Sequence, residues 1–128
     1  MSGASDPRIL IVEDDGTLAF LMDEICTSAG LDVVGCVADA TSAMELIRQD
    51  DPNLLLLDFN LEGQSDGLEL ISKAKAVNPA LKSVLVTGWD INDIASRLGG
   101  EQPDRILRKP VKPHVLLEVI DQLFARAA

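Results

Sequence analysis

Four short segments of this sequence carry side chains suited to handling a phosphoryl group: Glu13-Asp14, Asp58, Thr87-Gly88 and Lys109-Pro110. Each follows a short apolar segment, with Arg108 intervening before Lys109. Carboxylates pushed together repel one another unless a divalent cation neutralises them, and hard oxygen donors of this kind suit Mg²⁺ or Mn²⁺. A hydroxyl and an ammonium placed opposite suit the oxygens of a phosphoryl group, and a carboxylate can act as its covalent acceptor. The chemistry is phosphoryl transfer, provided the chain folds so that the four segments share one edge.

The elements that must position them are legible from hydrophobic spacing. Ile9-Leu10-Ile11-Val12 is continuously apolar, as expected of a strand covered on both faces, and it stops at Glu13-Asp14-Asp15. A first helix carries Leu18, Leu21, Met22, Ile25, Cys26 and Ala29 in i, i+3, i+4, i+7 order, with Gly30 as its stop. Leu31–Val37 reads as a second strand. Thr41 or Ser42 then caps a helix holding Ala43, Met44, Leu46 and Ile47, which Asp50-Asp51-Pro52 breaks. The four leucines 54–57 suit helix or strand on composition; a run of four after Pro52 argues for a buried strand ending at Asp58. A third helix spans Leu68–Val77, followed by Asn78-Pro79. Val84-Leu85-Val86 is a strand ending at Thr87-Gly88, and a short fourth helix carries Ile91, Ile94, Ala95 and Leu98 before Gly99-Gly100. Arg105–Leu107 is the fifth strand, and Leu116, Val119, Ile120 and Leu123 mark the buried stripe of the last helix. Leu117 and Phe124 widen that stripe, and core packing and a partner surface both account for them.

Five strands each followed by a helix, with connections too long for hairpins, require right-handed crossovers and a parallel sheet with helices on both faces. The expected fold class is α/β: a flavodoxin-like doubly wound (βα)5 three-layer sandwich with a five-stranded parallel sheet, in which ligands collect at the carboxyl ends of the strands. The length of 128 residues suits one domain, with its core over residues 8–124. Apolar residues at 47% and charged residues at 25% are ordinary for a globular chain. Eleven basic against 21 acidic residues give a formal charge of −10, which disfavours direct binding to nucleic acid. No stretch free of charged residues exceeds seven, so no membrane span is expected, and the N-terminus lacks the basic and apolar regions of a signal peptide. The cytoplasm is the expected location. Cys26 and Cys36 sit in apolar patterns without metal-ligand spacing and read as buried thiols.

The motifs Ile-Leu-Ile-Val-Glu-Asp-Asp, Leu-Leu-Leu-Leu-Asp-Phe-Asn-Leu, Asp-Gly-Leu-Glu-Leu, Val-Leu-Val-Thr-Gly and Leu-Arg-Lys-Pro-Val, taken in order, resemble the CheY-like receiver domains of two-component response regulators over roughly Arg8 to Phe124. The resemblance implies that Asp58 accepts a phosphoryl group from a phosphohistidine on a sensor histidine kinase or histidine phosphotransfer protein. It implies that Glu13, Asp14, Asp58 and the backbone carbonyl of Asn60 hold Mg²⁺ (or Mn²⁺). It further implies that Lys109 pairs with the phosphoryl oxygens, that Thr87 turns toward them with the Gly88 N–H, and that Lys109-Pro110 is cis. A downstream protein and a homodimer through the face of the fourth helix, fifth strand and last helix belong to the same implication.

Three departures from the commonest receiver pattern bear on the switch. Glu62 stands where many receivers have proline, in a loop one residue longer than the commonest form. Ile106 occupies the place of the usual switching Tyr or Phe. Trp89 puts the only tryptophan two residues after Thr87. Asp15 reads as a helix cap rather than a metal ligand, Lys112-Pro113 as a helix start and His114 as a solvated residue. A haloacid-dehalogenase-like phosphatase also uses a strand-end Asp with Mg²⁺, but needs a second acid where this chain has Asn60, so turnover chemistry is not expected. A stand-alone receiver and the receiver of a longer hybrid kinase or regulator both fit the sequence.

Overall fold

A computed structural model describes residues 6–58, 67–88 and 102–125. The elements run β1 (Arg8–Val12), α1 (Gly16–Ser28), β2 (Asp32–Val37), α2 (Ala40–Asp50), β3 (Leu54–Asp58), α3 (Gly67–Val77), β4 (Lys82–Thr87), β5 (Arg105–Arg108) and α4 (Pro113–Leu123). The helix expected over Ile91–Leu98 lies outside the described residues, as do Asn60, Glu62 and Trp89.

The strands form one sheet in the order β2-β1-β3-β4-β5, every neighbouring pair parallel. This is the expected doubly wound α/β architecture. Because side chains alternate across a strand, each apolar run feeds two cores. Ile9, Ile11, Leu54, Leu56, Val84 and Val86 pack under α1 and α4. Leu10, Val12, Leu55, Leu57 and Leu85 pack under α2 and α3. Both faces of β1 and β3 are therefore dry, and each fully buried leucine or isoleucine contributes about 1.5–3 kcal/mol.

Caps set the helix starts. Asp15 accepts from the Thr17 and Leu18 amides at the head of α1, as expected. The cap of α2 differs from expectation: Asp39 accepts from Ser42 N at 2.8 Å, so Thr41 and Ser42 lie inside the helix. An aspartate in the extended conformation two residues earlier satisfies the free amide and starts the turn sooner. Gly30 takes φ 81° after α1, where a side chain would be strained. Pro113 occupies the first turn of α4, where its missing N–H costs nothing.

Three core expectations fail at the periphery: Ala29 is exposed because α1 ends at Ser28 and Ala29 is its C-cap, and Cys36 and Leu21 are exposed as well. Cys36 is exposed, not buried, because β2 is an edge strand; Cys26, on α1, is buried. Burial, with Asp23 and Cys36 adding to it, pushes the Cys26 thiol up to about 12. Leu21 is 43% exposed, since the stripe that α1 presents to the sheet is the narrower set Ala19, Met22, Ile25 and Cys26, and Leu21 sits about 100° round the helix from Met22. Among the described residues, no helix is long and apolar enough to cross a membrane.

Candidate functional site

Parallel pairing brings the ends of β1, β3, β4 and β5 to one edge, and the residues that leave those ends meet there. Glu13 follows β1 and is tied in place by its backbone N–H, which donates to Val37 O at 2.9 Å. Its side chain is folded inward and 3% exposed. The Asp15 N–H donates to Glu13 Oε2 at 3.1 Å. Asp58 closes β3 and is 6% exposed, whereas Asp14 faces solvent. One carboxylate oxygen from each of Glu13, Asp14 and Asp58 lies within 4.8 Å of the others.

Lys109 reaches into this group from the end of β5. Its backbone N–H donates to Thr87 O at 2.8 Å, continuing the β4–β5 ladder one step and fixing the root of the side chain. The ammonium Nζ stands 3.3 Å from Asp58 Oδ1, to which it donates, and 3.3 Å from Glu13 Oε1. The second approach lacks hydrogen-bond geometry, so Glu13 Oε1 is buried without a hydrogen-bond partner among the described residues. Lys109-Pro110 is cis.

Three carboxylates facing one ammonium leave two negative charges uncompensated when all are ionised. The consequence appears at Glu13: burial, with the Asp58 charge and Asp14 adding to it, outweighs the Asp15 amide and Lys109 and raises its carboxyl from 4.5 to about 7. For Lys109, burial works against the charge, but Asp58 and Glu13 outweigh it and hold the ammonium above its usual value. A buried carboxylate oxygen that has an ion pair but no hydrogen bond, among three carboxylates that one ammonium does not neutralise, fits a hard divalent cation.

Thr87 is wholly buried at the end of β4, and Gly88 follows it into solvent, with open space where a Cβ would stand. Ile106 is half-buried on β5, opposite Leu85, and packs against the core under α2 and α3. The structure thus brings together Glu13, Asp14, Asp58 and Lys109, and joins Thr87 to them through the Lys109 backbone. Asn60 and Trp89, also expected here, lie outside the described residues. The hold of the Asp15 amide on Glu13 was not read from sequence; a backbone donor has no residue-type signature that would reveal it.

Comparison with known proteins is consistent with this arrangement. The family model described as response regulator receiver domain matches residues 9–121. A response regulator receiver domain protein (CheY-like) from Methanospirillum hungatei superposes with a TM-score of 0.81 at 33% identity, covering 94% of this chain and 95% of that one. The DNA-binding response regulator MtrA of Mycolicibacterium paratuberculosis is 31% identical over 110 residues, 86% of this chain and 48% of that protein. A cyclic di-GMP phosphodiesterase of Thermotoga maritima is 32% identical over 108 residues, 84% of this chain and 28% of that protein. The chain spans about half the length, or less, of the curated relatives it matches.

Proposed function

The chain belongs to the response regulator receiver domain family of two-component signalling, and we propose that Asp58 is its phosphoacceptor. The observation that carries this reading is the meeting of the Glu13, Asp14 and Asp58 carboxylates with one ammonium, Lys109 Nζ, 3.3 Å from both Glu13 and Asp58. A carboxylate oxygen of Asp58 attacks the phosphorus of a phosphohistidine on a sensor histidine kinase or histidine phosphotransfer protein. The phosphorus–nitrogen bond breaks, the imidazole leaves with the electron pair, and Asp58 becomes an acyl phosphate. Lys109, held charged by its two acid neighbours, balances the charge that develops on the phosphoryl oxygens. The Thr87 hydroxyl and the Gly88 N–H take up oxygens of the transferred group.

Glu13, Asp14 and Asp58, with the backbone carbonyl of Asn60, are the residues that would hold Mg²⁺ or Mn²⁺. The bound ion supplies charge neutralisation at the phosphoryl oxygens. Thr87, Trp89 and Ile106 are the positions that respond to phosphorylation, and altered protein contacts are the output. The domain is a signalling module of the cytoplasm and not a turnover enzyme. Its charge of −10 disfavours direct contact of this domain with nucleic acid.

Incubation with acetyl phosphate and Mg²⁺ tests the reading. The expected result is one added phosphoryl group by intact mass, absent in Asp58→Asn. Labelling of the Asn variant at the parent's rate would reject Asp58.

A further inference from the structure

Glu13 is fastened through both its backbone and its side chain. Its N–H donates to Val37 O at 2.9 Å, which ties the residue to the end of β2. Its side chain is wholly buried and folds back so that Oε2 accepts from the Asp15 N–H at 3.1 Å. The donor is itself held. Asp15 stands in the extended conformation ahead of α1; its carboxylate accepts from Thr17 N at 3.0 Å and Leu18 N at 3.2 Å, and its carbonyl accepts from Ala19 N at 2.9 Å.

The two carboxylate oxygens of Glu13 are thereby given different work. Oε2 is taken by the amide. Oε1, which has no hydrogen bond among the described residues, stands 3.3 Å from the Lys109 ammonium, and that ammonium is also 3.3 Å from Asp58 Oδ1. Turning both oxygens toward one ion would give up a hydrogen bond to a charged acceptor. That restriction bears on which cation fits. Mg²⁺ takes a near-octahedral set of about six oxygens at about 2.0–2.1 Å and keeps several waters, whereas Ca²⁺ takes about six to eight at about 2.3–2.6 Å and accepts carboxylates through both oxygens. Lys109 works in the same direction, because it brings N–H donors to a flank where a larger ion needs further oxygens.

We propose that the Asp15 N–H is a positioning group for the metal site: by holding Oε2 it leaves Glu13 one oxygen to offer to the ion or to its water, and so favours Mg²⁺ over Ca²⁺. The proposal rests on the receiver reading in taking the carboxylate cluster as the Mg²⁺ site. The Asp15 side chain adds rigidity only, since every residue except proline supplies the N–H.

Calorimetric titration of the whole chain with Mg²⁺ and, separately, with Ca²⁺ tests it, the readout being the ratio of the two dissociation constants. Asp15→Ala keeps the N–H and loses the cap, whereas Asp15→Pro loses both, so the pair isolates the N–H. Proline also restrains the Asp14 backbone before it. A second protein therefore keeps every side chain and carries an ester oxygen in place of the Asp15 N–H, made by joining a synthetic segment 1–25 to an expressed segment 26–128 at Cys26. The parent and Asp15→Ala are expected to prefer Mg²⁺ alike. In Asp15→Pro and in the ester protein that preference should fall about tenfold or more, the scale on which partners of metal ligands act. An ester protein with the parent's ratio, an Asp15→Ala variant that has already lost the preference, or a parent that binds Ca²⁺ as tightly as Mg²⁺ would overturn the proposal. A parent that binds no Mg²⁺ rejects the metal reading and the proposal with it. A parent with the expected selectivity that takes no label from acetyl phosphate rejects Asp58 as phosphoacceptor and leaves the role of the amide standing.

Discussion

The two ends of the sheet use polar residues in opposite ways. At the amino ends, Asn53 accepts from Arg8 N at 2.6 Å, donates to Asp6 O at 2.8 Å, and lends its own backbone to Arg8 and Lys82. Arg8 in turn donates to Asp51 O and pairs with Asp32 at 3.8 Å. These hydrogen bonds join the chain before β1 to the loop ahead of β3 and to β4. At the carboxyl ends, three acids crowd one lysine, and Glu13 Oε1 is buried without a hydrogen bond. A hollow of about 750 Å³ is at the amino ends, lined by residues that include Arg8, Asp32, Asp51 and Asn53. Volume therefore points away from the chemistry, and unbalanced charge points toward it. A hydroxyl without a hydrogen bond among the described residues, Ser83 Oγ, is also buried near the amino ends, so the surplus of negative charge, and not an unsatisfied atom alone, distinguishes the carboxyl ends.

Glu13→Gln separates the two ends most sharply. The variant should bind Mg²⁺ at least about tenfold more weakly, as expected when a coordinating carboxylate is lost. Without metal it should be the more stable protein at pH 8. The folded carboxyl sits near 7 against 4.5 ordinarily, so the native state keeps a proton that the unfolded chain releases. Stability of the parent thus falls as pH rises from about 4.5 to about 7, by roughly 1–3 kcal/mol. The Gln variant should lack that slope, and saturating Mg²⁺ should flatten it in the parent. Parallel urea titrations across this range check the sign, and a parent that grows more stable with pH would break the contrast.

Asn53→Ala is the mirror experiment. It removes two side-chain hydrogen bonds at the amino ends and should cost about 2 kcal/mol of stability, while phosphorylation and Mg²⁺ affinity remain those of the parent. A change in Mg²⁺ affinity would show that the ends are not independent.

The smallest effect is expected from Asp15→Ala, which sits among the acids but serves the helix. Loss of the cap should cost about 1 kcal/mol, and labelling of Asp58 should persist, because Glu13 is held by the backbone of Asp15 and not its side chain. Loss of labelling in a folded variant would make Asp15 part of the site.

The carboxyl-end site was legible because every one of its elements ends in a change of residue type. Leu54–Leu57 runs into Asp58, Ile9–Val12 into Glu13, and parallel topology alone sends both to the same edge. Sheet order was not legible in the same way. Val33–Val37 is as apolar as β1, and nothing in it declares an edge strand, so Cys36 was assigned to the core. The α2 cap was missed because Asp39, Thr41 and Ser42 all have capping side chains, and only the extended backbone at Asp39 decides among them. The Glu13 oxygen that lacks a hydrogen bond and the amide that holds its other oxygen are matters of distance, and a sequence contains none.

Locating the acyl phosphate itself tests Asp58 as the acceptor. Borohydride reduction of the labelled protein converts a phosphorylated aspartate to homoserine, and tandem mass spectrometry of the peptides reads its position. Homoserine is expected at position 58 and nowhere else, in an amount that depends on Mg²⁺. Homoserine at position 14, or label distributed over several carboxylates, would contradict it.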